Sequence, residues 1–146
     1  PRWAKLSPNV GHLAEIATAA HDAGAEAVTL VNTVMGMAID PETRRFRLGS
    51  GPRGGGVSGP AIHPIAVRAV FDVHQAVPQV PIVGVGGVAG GADAAEMLLA
   101  GATAVQVGTA TFADPRAPRR VLDELERWAA RQGVARIAET IGDVHG

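Results

Sequence analysis

The chain has 146 residues, 47% of them hydrophobic, with 13 basic and 14 acidic side chains, which suits one soluble domain with a sizeable core. Its near-neutral charge, without a basic stripe, excludes tracking of a nucleic-acid backbone, and no stretch is apolar for long enough to cross a bilayer as a helix. The absence of cysteine removes disulfides, thiolate metal sites and a thiol nucleophile together.

The chain opens on Pro1, directly against an apolar strand pattern, so it is expected to begin inside a larger unit. No charged-then-apolar leader precedes that strand, and a cytoplasmic location is the expectation. Arg2–Asn9 reads as a strand ended by Pro8. Alternation puts Trp3 and Lys5 on one face and Ala4 and Leu6 on the other. A strand-end lysine is either an exposed charge at a mouth or a cation aimed at an anionic ligand, and spacing does not choose between them. Leu13, Ile16, Ala17 and Ala20 then recur at helical spacing over His12–Ala23, with Gly24 as the stop. Ala27–Asn32 reads as a buried strand closing in the polar pair Asn32-Thr33. Such a pair forms a turn or, at the top of a barrel strand, reads a ligand.

Val34–Ile62 shows no sustained helix period and is too long for an ordinary connection. Within it, Met37–Asp40 and Arg45–Leu48 flank Pro41-Glu42-Thr43-Arg44 as a hairpin with a proline turn, and Arg44, Arg45 and Arg47 read as its solvated edge. Gly54-Gly55-Gly56-Val57-Ser58-Gly59-Pro60 follows, which allows close approach of the backbone to a flat ligand or acts as a flexible linker. A helix over Pro64–Ala76 is expected to bury Val67, Val70 and Phe71.

Pro81–Ala110 organises the rest. It reads as strand Pro81–Val85, turn Gly86-Gly87, helix Ala92–Ala100, stop Gly101, strand Thr103–Val107, then Gly108-Thr109 and a second helix start. Two neighbouring parallel strands each end in glycine before a helix, so backbone N–H groups gather at one end of the sheet as a two-lobed phosphate cup. Glycine suits that cup because a Cβ would stand in the phosphate's path, and Thr109 can add a hydroxyl. A single such turn needs no ligand, but two of them one βα unit apart match the phosphate site after the seventh and eighth strands of a (β/α)₈ barrel.

A last helix over Pro118–Gln132 turns Val121, Leu125, Trp128 and Ala129 inward, Gly133 ends it, and the tail Ile137–Gly146 is expected to be partly mobile. His12, His21, His63, His74 and His145 show no metal-ligand spacing and read as surface or helix-end residues, so no metal site is expected. Residues 1–146 thus form a single α/β domain of four βα units, matching the C-terminal half of a (β/α)₈ TIM barrel better than an open wound sheet. Its two open edges call for missing N-terminal strands or another copy of the chain.

Five segments in order carry a family resemblance: Lys5-Leu6-Ser7-Pro8-Asn9, Val31-Asn32-Thr33, Gly55-Gly56-Val57-Ser58-Gly59-Pro60-Ala61-Ile62, Gly84-Val85-Gly86-Gly87-Val88 and Val107-Gly108-Thr109-Ala110. Together they resemble the C-terminal half of a class 1 dihydroorotate dehydrogenase over essentially the whole chain. Ser58-Gly59-Pro60-Ala61-Ile62 leans toward the NAD-linked branch, whose catalytic subunit pairs with an iron–sulfur and FAD electron-transfer subunit. The resemblance implies a homo-oligomeric FMN-binding barrel that oxidises dihydroorotate to orotate in de novo pyrimidine synthesis.

It also implies roles. Lys5 would lie against the pyrimidine edge of the flavin ring, Val31 and Gly59 would line the flavin through their backbones, and Gly86, Gly87, Gly108 and Thr109 would hold its phosphate. Asn32 and Thr33 would hydrogen-bond the substrate. The family's base, a cysteine in class 1, comes from a loop before the segment matching Lys5, so no catalytic residue is assigned here and these residues alone are expected to be inactive. Extra residues around Ser50–Arg53 depart from the family pattern. The competing readings are a related dihydropyrimidine dehydrogenase barrel, a non-redox barrel enzyme acting on a phosphorylated metabolite, and a non-catalytic half-barrel that binds flavin or a partner chain.

Overall fold

The structure, a computed structural model, describes residues 1–146. Strand β1 (Trp3–Leu6) leads to helix α1 (Leu13–Asp22) and strand β2 (Ala27–Leu30). The long connection that follows holds β3 (Val34–Gly36), β4 (Ile39–Asp40), β5 (Arg45–Phe46) and β6 (Gly55–Val57). Helix α2 (His63–Ala76), strand β7 (Ile82–Val85), helix α3 (Gly91–Leu99), strand β8 (Ala104–Gln106), the single turn α4 (Ala110–Ala113) and helix α5 (Ala117–Gln132) complete the order. No helix is long and apolar enough to cross a membrane.

The main sheet is parallel throughout, in the order β1-β2-β7-β8. Register and pleat sort its side chains into two faces. Leu6 pairs with Leu30, and Leu30 with Gly84, on the face that the helices cover. Val28, Val70, Val73, Ile82 and Met97 fill that core without solvent exposure. Gly84 is glycine because α3 lies close on the sheet there: a Cβ would stand 3.1 Å from both Ala102 Cβ and Met97 Sδ. On the opposite face Lys5 pairs with Thr29, Thr29 with Val83, and Val83 with Ala104. Trp3, Lys5, Ala104 and Gln106, on its outer strands, stay exposed.

The expected hairpin is present, with Ile39 opposite Phe46 and Asp40 opposite Arg45. Asp40 Oδ1 accepts from the N–H groups of Glu42 and Thr43, which hold its carboxyl below the usual range, Thr43 more strongly. Other expectations need correction. The glycine run is not a loop reserved for a flat ligand: Gly55-Gly56-Val57 is β6, paired antiparallel with β3, and a Cβ on Gly56 would strike the Thr33 side chain. The deepest stripe of α2 is Ala66, Ala69, Val70 and Val73, with Val67 and Phe71 half-buried at its border, and Ile16 of α1 faces outward. The tail is docked. Gly142 N–H donates to Leu98 O, His145 Nε2 lies 3.1 Å from Ala100 O, and the His145 ring stacks on Phe71 at 4.2 Å.

Candidate functional site

All nine residues singled out from the sequence meet at one cleft. Its volume is about 270 Å³, and its walls are Lys5 from β1, the strand-end segment Val31, Asn32 and Thr33, Ser58 and Gly59 before α2, the turn Gly86-Gly87, and Gly108-Thr109 after β8. Ile62, Val85 and Phe112 add apolar surface. Every one of these segments lies at or beyond the carboxyl end of a parallel strand except the one entering α2, so the cleft sits where open and closed parallel sheets place their ligands.

The two glycine turns offer free donors. The backbone N–H groups of Gly86, Gly87, Gly108, Thr109 and Ala110 donate to no acceptor within the chain. At Gly86 (φ +144) and Gly87 (φ +70) side chains are further excluded by packing, since a Cβ on Gly86 would stand 2.5 Å from Ala66 Cβ and one on Gly87 2.8 Å from Gly59 O. Gly108 differs, because a Cβ there would meet no atom within 4 Å. An oxyanion placed among these N–H groups would receive charge-assisted hydrogen bonds. Lys5, exposed and in no ion pair within the chain, adds a free ammonium to the same walls.

The helix ends do not supply the cup. At the start of α3, Asp93 Oδ2 accepts from Ala89 and Gly90, and Glu124 Oε2 accepts from Gly91 at 2.7 Å. The Gly91 N–H and, less strongly, the Arg120 guanidinium hold the Glu124 carboxyl below its usual range. This helix N-terminus is therefore already satisfied by the chain's own carboxylates, and the donors left over belong to the turns before it.

The remaining walls are tied to one another. Asn9 Nδ2 donates to Thr33 O and to Ser7 Oγ, and Asn9 Oδ1 accepts from Met35 N–H, which fastens the Asn32-Thr33 segment to the loop after β1. Thr109 Oγ1 donates to Ser58 Oγ at 2.9 Å, joining the two sides of the cleft. Each hydroxyl can donate and accept, so the pair uses one of its two protons between themselves and keeps the other for a ligand. Sequence reasoning placed Thr109 in the cup and quoted Asn9 and Ser58 within the family segments without giving either a role, and it did not single out Phe112, which also lines the cleft. Phe112 carried a readable signal, since it lies one helical turn past the second glycine lobe, and it is 91% exposed.

The family model described as dihydroorotate dehydrogenase matches residues 1–128. The chain is 51% identical over 142 residues to a putative dihydroorotate dehydrogenase A (fumarate) of Solibacter usitatus, covering 97% of this chain and 46% of that one. It is likewise 49% identical to the catalytic subunit of dihydroorotate dehydrogenase B (NAD(+)) of Trichlorobacter lovleyi, with the same coverage. The chain thus spans a little under half the length of these relatives. The crystal structure of the Eimeria tenella enzyme DHODH in complex with ferulenol superposes with a TM-score of 0.81 at 30% identity, over 98% of this chain and 38% of that one.

Proposed function

This chain belongs to the dihydroorotate dehydrogenase family, and from that premise we propose that it forms part of an FMN-dependent enzyme that oxidises dihydroorotate to orotate in pyrimidine biosynthesis. The observation that carries the reading is the cleft at the strand ends, where unpartnered N–H groups from two glycine turns, a free lysine and the Asn32-Thr33 pair share one set of walls. These residues fit the cofactor. The N–H groups of Gly86, Gly87, Gly108 and Thr109 would hold its phosphate, the backbones of Val31 and Gly59 would flank it, and Lys5 would place a positive charge beside its ring. When bound, FMN supplies the two-electron redox chemistry that side chains cannot perform. Asn32 and Thr33 would orient the substrate with neutral donors and acceptors.

The family's base, a cysteine, would come from a loop before the segment of Lys5, and this chain has no cysteine. We therefore assign the base to another segment and the chain itself to the C-terminal half of a (β/α)₈ barrel. Spatial strand order follows sequence order without reversal, and the helices share one face, as a closing barrel requires and a doubly wound sheet does not. The face carrying Lys5, Thr29, Val83 and Ala104 would be its interior. The acceptor follows the branch, fumarate or NAD. Ser58-Gly59-Pro60-Ala61-Ile62 favours the NAD-linked one, with an iron–sulfur and FAD subunit and a second copy of the catalytic chain as partners.

Complementation tests the proposal. Mixed with the N-terminal half of a family barrel, the chain should retain FMN and form orotate from dihydroorotate, followed by orotate absorbance. The 146 residues alone should form no orotate. Turnover by the chain alone would refute the division of roles, and a complemented assembly that neither retains FMN nor makes orotate would refute the function.

A further inference from the structure

We propose that His63 is a positioning residue for the phosphate cup, fixing the direction in which the Gly87 N–H points. The proposal rests on the flavin-phosphate reading of the cleft. His63 opens α2, and although it is not a wall of the cleft its side chain is only 12% exposed. Nδ1 lies 2.8 Å from Gly86 O, and Nε2 lies 3.2 Å from Glu96 Oε2, with Asp93 Oδ1 at 4.0 Å. Carbonyl and carboxylate oxygens only accept, so the ring donates to both when each nitrogen carries a proton. The imidazole then joins the turn after β7 to α3 through its two ends.

Peptide geometry turns this contact into an orientation. In a planar trans peptide the carbonyl of one residue and the N–H of the next point in opposite directions. His63 draws the Gly86 carbonyl toward itself, so the Gly87 N–H faces away from His63 and has no acceptor within the chain. Gly87 is at the same time pressed onto His63: a Cβ on it would stand 2.7 Å from His63 Cβ and 3.1 Å from His63 Cα. Ring bond and backbone contact together leave the Gly86–Gly87 peptide one orientation, with a donor presented on the cleft side.

Two isosteres separate the ends of the ring. His63→Asn keeps an amide N–H₂ near the place of Nδ1, whereas His63→Gln keeps one near the place of Nε2. Affinities of the purified protein for FMN and for riboflavin are measured by quenching of flavin fluorescence, because their ratio isolates the phosphate. The native ratio should persist within about threefold in His63→Asn and fall about tenfold in His63→Gln and His63→Ala, the worth of one hydrogen bond to a charged group, with riboflavin affinity unchanged throughout. Circular dichroism establishes folding, and if His63→Ala does not fold the Asn and Gln pair decides. A native ratio in folded His63→Gln would overturn the proposal, as would a ratio lost equally in His63→Asn. A native protein that binds FMN no better than riboflavin would refute the phosphate reading itself, and the role of His63 with it.

Discussion

Replacing Gly108 with alanine adds one methyl group to the second lobe of the cup. The backbone there is not left-handed, and the new Cβ meets no atom within 4 Å, so the folded chain accepts it. The unfolded chain loses some freedom, which makes the variant as stable as the native protein or more so by about 0.4–1 kcal/mol. Binding responds differently. A phosphate oxygen must come to about 2.7–2.9 Å from a donor nitrogen, while a methyl carbon keeps its neighbours at roughly 3.5–4 Å. The methyl would stand beside the N–H groups of Gly108 and Thr109 and push the oxyanion out of range of one or both. At about 1.5–3 kcal/mol for each hydrogen bond to a charged group, FMN affinity should fall at least about tenfold. Urea unfolding followed by circular dichroism measures the first effect, and FMN titration against a riboflavin control measures the second. A folded Gly108→Ala protein that binds FMN with native affinity would refute the backbone cradle.

Gly87→Ala should fail in the opposite way, losing stability as well as binding. Its φ of +70 costs an alanine about 1–2 kcal/mol, and contacts of 2.7 and 2.8 Å with His63 Cβ and Gly59 O add an overpacking cost of about 1–3 kcal/mol, a loss that urea unfolding reads directly. Lys5→Gln should unfold within about 0.5 kcal/mol of native, because Lys5 is exposed and unpaired, yet it should weaken binding of FMN; equal FMN affinity would remove Lys5 from the site. A pH effect belongs to the tail clasp. Burial first, and then the neighbouring His145 ring at 4.9 Å, hold the His74 imidazole below its ordinary 6.5. The unfolded chain then binds that proton more readily, so the contribution is complete above pH ~6.5 and is lost as pH falls through the lower folded value. The urea midpoint should decline over that window, well above the acid range where Asp40, Asp114 and Glu124, all held below their usual values, begin to matter. His74→Gln should flatten the decline, and an unchanged slope would assign it to another group.

The site was legible because its residues sit where local rules speak. Glycines at strand ends, and a polar pair closing a buried strand, mark ligand-facing turns without knowledge of the tertiary fold, and all nine marked residues share the cleft. What escaped was non-local. Strands β3 and β6 are three residues each and lie far apart in sequence, and β6 is largely glycine, so neither period nor propensity announces their pairing. Those glycines serve chain packing, since Gly55 lies against Gly49 and Leu48 and Gly56 against Thr33. The His63 bridge to Gly86 and Glu96 is tertiary too, as is the stacking of His145 on Phe71 that docks the tail. Nothing at those positions in the sequence sets them apart from an ordinary helix-end histidine or a loose terminus.

One feature of the helix α3 entrance argues that the cup is more than the residue of two tight turns. The N–H groups at that entrance are the ones a helix dipole would offer to an anion, and there the chain spends two carboxylates, Asp93 from the helix itself and Glu124 from α5. An unpartnered N–H that is buried is costly, so donors left free by the chain must face water or a ligand. Gly86, Gly87, Gly108 and Thr109 find none within the chain, yet they line an open cleft where water can satisfy them until a ligand arrives. Asp93 and Glu124 meanwhile repel an anion from the helix end. The competing anion position is thus filled with negative charge while the turn donors stay free on the same walls as Lys5, an arrangement that would steer an oxyanion to the glycine lobes.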